Sequence, residues 1–234
     1  MTTAQKIIKY LAVAFAIFLI MTIISAILSV ILALSGILGL KTAVQNSSTE
    51  LIATTFENAE IDTLNIDIAF TNLTIKQGEI LKIETDNSNI DCKQKNQELH
   101  LEEKDYKWFS YNNVEKELIL YIPEDLEFEK VKINAGAGKV TILSGKINDL
   151  DFDMGVGEAN ITADLLGKSE INAGVGELNI NLQGEKESYK IKADKGIGSI
   201  KIDGKEVSNG EVYGDGENYI EIDGGIGSIN IYYK

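Results

Sequence analysis

Oxygen donors gather between Gly214 and Gly225, where Asp215, Glu217, Asn218 and Asp223 supply the hard ligands that Ca²⁺ takes. Their spacing is not that of an EF-hand. The calcium-binding nonapeptide repeat would need Asp where GGIGSINI (224–231) has Ile229. Solvated turn acids are the expectation, and no metal site is assigned. Paired carboxylates that flank a glycosidic bond are a second chemistry. Asp151, Asp153, Glu158 and Asp164 fall at outward strand positions or corners, where charge keeps a surface wet, so no catalytic residue is assigned. Gly-x-Gly recurs five times, but a strand pattern follows each one where a phosphate-binding helix would begin, and no cofactor is assigned. The single His100 rules out a multi-histidine metal site, and the single Cys92 an internal disulfide.

Side chains suited to contact are more plentiful. DYKWFSYNN (105–113) places Tyr106, Trp108, Phe109 and Tyr111 within six residues, either as a docking patch or as a lid over an exposed sheet edge. Charge narrows the partners. All 22 basic residues are Lys against 36 acids, a net charge of −14. Residues 1–40 carry only Lys6 and Lys9, leaving 41–234 with 20 Lys against 36 acids. A body at −16 with no Arg lacks the clustered basic face that nucleic acid requires, and anionic lipid repels it.

Residues 10–40, YLAVAFAIFLIMTIISAILSVILALSGILGL, hold no charge and no Pro. About 20 apolar residues span a bilayer, so the stretch predicts one transmembrane signal-anchor helix. Cleavage as a secretory signal is the competing reading, disfavoured because the apolar run is about twice the length of an ordinary signal core. Lys6 and Lys9 place the tail, residues 1–9, in the cytoplasm and residues 41–234 outside the cell membrane. Ser25, Ser29 and Ala33 stack small side chains on one helix face, suited to self-association or to a membrane-protein partner. Residues 41–55, polar and small around Asn46–Thr49, predict a juxtamembrane linker.

Residues 56–234 contain a repeat. VKINAGAGKVTI (131–142), LDFDMGVGEANI (150–161), SEINAGVGELNI (169–180), IKADKGIGSIKI (191–202) and IEIDGGIGSINI (220–231) align on Gly138, Gly157, Gly176, Gly198 and Gly227. A second glycine stands two residues earlier, at Gly136, Gly155, Gly174, Gly196 and Gly225. Apolar residues alternate on both sides, as Ile133 and Val140 do in the first unit, which means strand, corner, strand with one face buried. A unit of about 19 residues closes no core alone. Its neighbours must stack, each corner on the last, with glycine wherever the adjacent backbone comes too close for a side chain. The expected fold is all-β: a glycine-cornered β-solenoid preceded by one N-terminal transmembrane helix. A meandering antiparallel sheet is the other arrangement the spacing admits. LNIDIAFTNLTI (64–75) carries the pattern with Thr71 at the corner.

ELILYIPEDLEFEKVKINAGAGKVTI (117–142), with the units after it, resembles the bacterial putative-adhesin family of membrane-anchored β-strand-repeat domains. The resemblance spans about residues 55–234 and implies an anchored extracytoplasmic β domain with no catalytic residues to carry over. The resulting expectation is a non-enzymatic, single-pass membrane protein that displays an acidic β-repeat domain for adhesion, envelope scaffolding or stress sensing. It would meet the lipid bilayer through residues 10–40 and a cell-surface or wall ligand through the body. The alternative is a carbohydrate-active or calcium-binding β-helix protein acting on cell-wall polysaccharide.

Overall fold

A computed structural model describes residues 51–56, 60–104 and 115–233. The expected tail, the helix 10–40 with Ser25, Ser29 and Ala33, most of the linker, and the quartet Tyr106, Trp108, Phe109 and Tyr111 lie outside the described residues. No helix among the described residues is long and apolar enough to cross a membrane.

The described chain is all-β. Each full repeat is one long strand that runs through its Gly-x-Gly: β8 (Phe128–Ile142), β9 (Lys146–Leu165), β10 (Lys168–Leu182), β11 (Tyr189–Ile202) and β14 (Asn218–Tyr233). They pair parallel, glycine beside glycine. Alternation puts every second side chain on one face, so Ile133, Phe152, Ile171 and Ile222 before the corner are buried, as are Val140, Ala159, Leu178 and Ile229 after it. These side chains belong to one continuous hydrophobic core. Each strand thus contributes one rung to a ladder whose inner side is a stacked column of Ile, Leu, Phe and Ala.

The rungs do not follow chain order. Corner upon corner in sequence would set Gly198 beside Gly176, yet β14 lies between β10 and β11, with Gly227 paired to both glycines. Edge chemistry explains the exchange. After β11 the chain turns back through Asp203 and Gly204, both at positive φ, into β12 (Lys205–Glu206), which pairs antiparallel with β11. β13 (Val212–Tyr213) pairs with β11 as well. The outer edge of β11 is thereby covered, and β14 gains two parallel neighbours inside the ladder.

The other end mirrors this. β2 (Thr63–Ile68) and β3 (Thr71–Gln77) form one rung against β8, with Leu64 on Val131 and Leu73 on Val140, so Thr71 takes the place of Gly138 as the alignment predicts. β6 (Glu98–Glu103) and β7 (Lys116–Ile122), later in the chain, stack outside β2 and β3. Their far edges pair antiparallel with β5 (Ile90–Lys95) and β4 (Leu81–Thr85), and β1 (Ile52–Phe56) adds to β4. Antiparallel pairing is thus confined to the two ends of the ladder. β1 begins inside the stretch that the sequence assigns to the linker; its side chains are largely exposed, so no buried face marked it as a strand.

Candidate functional site

The corner carries the features suited to contact. At Gly157 φ is +148, and a Cβ there would run into the carbonyl oxygen of Gly138. The same obstacle meets Gly176 against Gly157, Gly227 against Gly176, and Gly198 against Gly227. The earlier glycines form a second column, in which Gly155 faces Gly136, Gly174 faces Gly155, Gly225 faces Gly174 and Gly196 faces Gly225. Nine of the ten repeat glycines thus lie where the backbone of a neighbouring rung leaves no room for a side chain, while at Gly138 a Cβ would meet the Asn72 side chain instead.

Between the two glycines of each repeat stands an aliphatic residue. In rung order these are Ala137, Val156, Val175, Ile226 and Ile197, each paired in register with the next. Val156, Val175, Ile226 and Ile197 are 54, 43, 52 and 69 % exposed, far above the core residues on either side of the corner. Beside this row runs a groove of about 960 Å³. It is lined by four of the first glycines, by the residues four positions before the corner on five successive rungs (Asp67 ahead of Thr71, then Asn134, Asp153, Asn172 and Asp223), and by apolar side chains between them such as Met154. Asn172 Nδ2 donates to Asp153 Oδ1 at 2.7 Å, tying two rungs together. On the second half of three successive rungs an amide ladder runs from Asn230 to Asn179 at 2.9 Å and from Asn179 to Asn160 at 3.0 Å.

The rung without glycines needs another means of holding its bend. Glu103, nearly buried, accepts at Oε2 from the backbone N–H groups of Ala69 (2.7 Å) and Phe70 (3.0 Å), and at Oε1 from Asn87 Nδ2 (2.9 Å). Asn87 Nδ2 also donates to Thr71 Oγ1, and Asn72 Oδ1 accepts from the N–H of Lys139 on the next rung. Side chains thus satisfy backbone donors at a bend that lacks Gly-x-Gly.

The other carboxylates weighed for chemistry are scattered. Asp151 pairs with Lys132 Nζ at 2.7 Å, and that contact raises the pKa of the lysine. Asp164 accepts from the Tyr189 hydroxyl at 2.9 Å. Burial, with Asp164 second, pushes that phenol up to about 12. Glu158 accepts from Asn160 and pairs with Lys139 at 3.0 Å, and its pKa lies below the usual carboxylate range, through Asn160 first and Lys139 next. Asn218 accepts from the Gly167 N–H at 3.1 Å, while Asp223 stands in the groove, so the Gly214–Gly225 donors are divided between different contacts. Among the described residues no three His, Cys, Asp or Glu side chains come together as a metal site. Cys92 is half-buried on β5, and burial, with Asp91 second, raises its thiol to about 11, so it stays protonated at neutral pH. His100 sits between the buried Leu99 and Leu101 on β6.

The exposed aliphatic row and the Asp/Asn column were the residues that sequence reasoning missed. Both were present in the five-repeat alignment, as an aliphatic side chain in every Gly-x-Gly and an Asp or Asn four residues before every corner glycine. Period-2 reading sorts residues into inward and outward sets and assigns neither role to a residue at the tip of a bend.

No family model matches the chain, and no curated protein matches it. Solved structures do. A putative cell adhesion protein from Clostridium sporogenes is 26 % identical with a TM-score of 0.60, over 79 % of this chain and 99 % of that one. A putative adhesin from Bacteroides fragilis is 13 % identical with a TM-score of 0.35, over 79 % of this chain and 98 % of that one. A third, from Parabacteroides distasonis, is 10 % identical with a TM-score of 0.24, over 79 % of this chain and 97 % of that one. Of the three, the Clostridium sporogenes structure is the one whose TM-score shows a like fold over most of both chains, and its description as a putative cell adhesion protein agrees with the bacterial putative-adhesin family of unknown function that residues 117–142 resemble.

Proposed function

We propose that the chain is a non-enzymatic, single-pass membrane protein that holds an acidic β-solenoid outside the cell and uses the Gly-x-Gly corner as an adhesive face. The observation that carries this reading is the row Val156, Val175, Ile226 and Ile197: four large aliphatic side chains exposed side by side on four successive rungs, paired in register. Rows of this kind mark interaction surfaces. The similarity to a cell adhesion protein from Clostridium sporogenes points the same way. Residues 10–40 supply the bilayer contact, with the N-terminus cytoplasmic, and Ser25, Ser29 and Ala33 offer a face for a membrane partner or a second helix.

The experiment is to replace Val156, Val175 and Ile226 together by Ser in the full chain and measure co-sedimentation with the cell envelope once the membrane is dissolved in detergent. A loss of tenfold or more, with an unchanged melting temperature, is the expected result. Equal retention overturns the adhesive face. Protease added to intact cells should remove the body; complete protection overturns the topology.

A further inference from the structure

Every outer strand of the ladder but one is guarded against pairing with another chain. β5 carries Asp91, Lys93 and Lys95, and β12 and β13 are each two residues long. Charge and brevity are ordinary protections of a sheet edge. β1 has neither: its five residues, IATTF, include no charge and no Pro, and all but Ala53 are β-branched or aromatic. Among the described residues it pairs with β4 alone, so one edge of its backbone has no strand beside it.

β1 also carries the apolar face of the sheet past the point where the core ends. Ile52, Thr54 and Phe56 stand opposite Thr85, Ile83 and Leu81, which are all buried, so the three lie on the core side. Phe56 packs against the core, but Ile52 is 50 % exposed. Ala53 and Thr55, on the other side, are exposed as well. A strand wet on both faces and along one edge has little beyond its bonds to β4 to hold it.

The residues of β1 fit a second copy of themselves. Antiparallel pairing about Thr54 sets Ile52 against Phe56, Ala53 against Thr55 and Thr54 against Thr54. Aromatic against β-branched and Thr against Thr are favourable cross-strand pairs, and no like charges meet. The two-fold axis stands perpendicular to the sheet, so core side continues into core side, whereas a slip of one residue would set core side against outer side. A foreign strand would have to supply matching residues; a second copy supplies them by symmetry. Pairing covers both open edges, and the assembly closes at two.

We infer that β1 is a self-association edge, through which two copies of the chain join their ladders into one continuous sheet. It uses none of the corner residues, so it stands or falls apart from the adhesive face. The contact is small and reversible, which makes disulfide capture the suitable probe. The test uses the full chain in neutral detergent with Cys92→Ser throughout. Thr54→Cys meets its own copy at about 4.5–5.5 Å between Cα atoms and should form an intermolecular disulfide. Ile52→Cys, whose copy lies about 13 Å along the strand, should form it at least tenfold more slowly. On the Thr54→Cys chain, Ala53→Lys with Thr55→Lys opposes like charges and should slow cross-linking tenfold or more. Ala53→Lys with Thr55→Glu opposes unlike charges and should restore it; melting temperatures equal to the parent's show that both double variants fold. Three results overturn the inference: no cross-linked dimer, equal rates for Thr54→Cys and Ile52→Cys, as a parallel register or a contact elsewhere in the chain would give, or equal rates for the two charged double variants.

Discussion

At Gly157 two constraints coincide, a positive φ and the carbonyl of Gly138 where a Cβ would go, whereas Gly145 has a φ of +148 with nothing within 4 Å of a Cβ. The pair separates backbone strain from collision. Gly145→Ala should cost about 1–3 kcal/mol, the ordinary cost of an unfavourable φ. Gly157→Ala adds a clash with backbone that cannot move aside and should cost about 2–6 kcal/mol in all. Thermal unfolding of the two variants checks the difference, and equal losses would mean that the corner is not packed as described. Charge acts at this scale too. Lys104 first and Lys93 second hold the Asp91 carboxyl down at about 2, against an ordinary 3.8. A depressed carboxylate adds stability above its unfolded pKa and loses it as pH falls through the folded value. Asp91→Asn should therefore lower the melting temperature slightly at pH 6, and its gap to the parent should close between about pH 4 and pH 2. A gap that widens with acid would contradict the assignment.

Rung order is the property of the elements most open to test. Parallel pairing sets Asn179 beside Asn230, with Lys201 on the far side of Asn230. Adjacent rungs at about 4.8 Å fall within the Cα separation a disulfide tolerates, and rungs two apart do not. In a Cys92→Ser background, Asn179→Cys with Asn230→Cys should oxidise readily and Asn179→Cys with Lys201→Cys should not; a gel without reductant reads the outcome, and the reverse result would restore chain order. The repeating strands themselves were legible from Gly-x-Gly and period-2 alternation, and so was Thr71 at the degenerate corner. The placement of β14 was not. KGIGSIKI and GGIGSINI present nearly the same face to any neighbour, so local pattern cannot say which rung meets β10; the hairpin that covers β11 decides it. The role of Glu103 was hidden for a different reason, since it acts on Ala69 and Phe70 across 34 and 33 residues of chain.

Over the whole molecule, residues 41–234 hold 20 Lys against 36 acids, and one column of the ladder places Asp151, Glu170 and Glu221 on successive rungs. Like charges about 4.8 Å apart on a sheet repel. Salt shortens the reach of that repulsion to about 3 Å at 1 M. The melting temperature of the chain should rise by several degrees between low and high NaCl, and a fall would mean that the ion pairs Lys132–Asp151 and Lys192–Glu221 outweigh the unpaired acids. Because β14 occupies the gap between β10 and β11, the parallel partner of β11 is made after it, from Asn218 to Ile231, and until then β11 has only its short antiparallel pairings with β12 and β13. During synthesis the fourth Gly-x-Gly segment meets its native parallel neighbour only after the fifth has been made. New repeats can therefore be inserted without rewiring only among β8, β9 and β10, where neighbours in sequence are also neighbours in space.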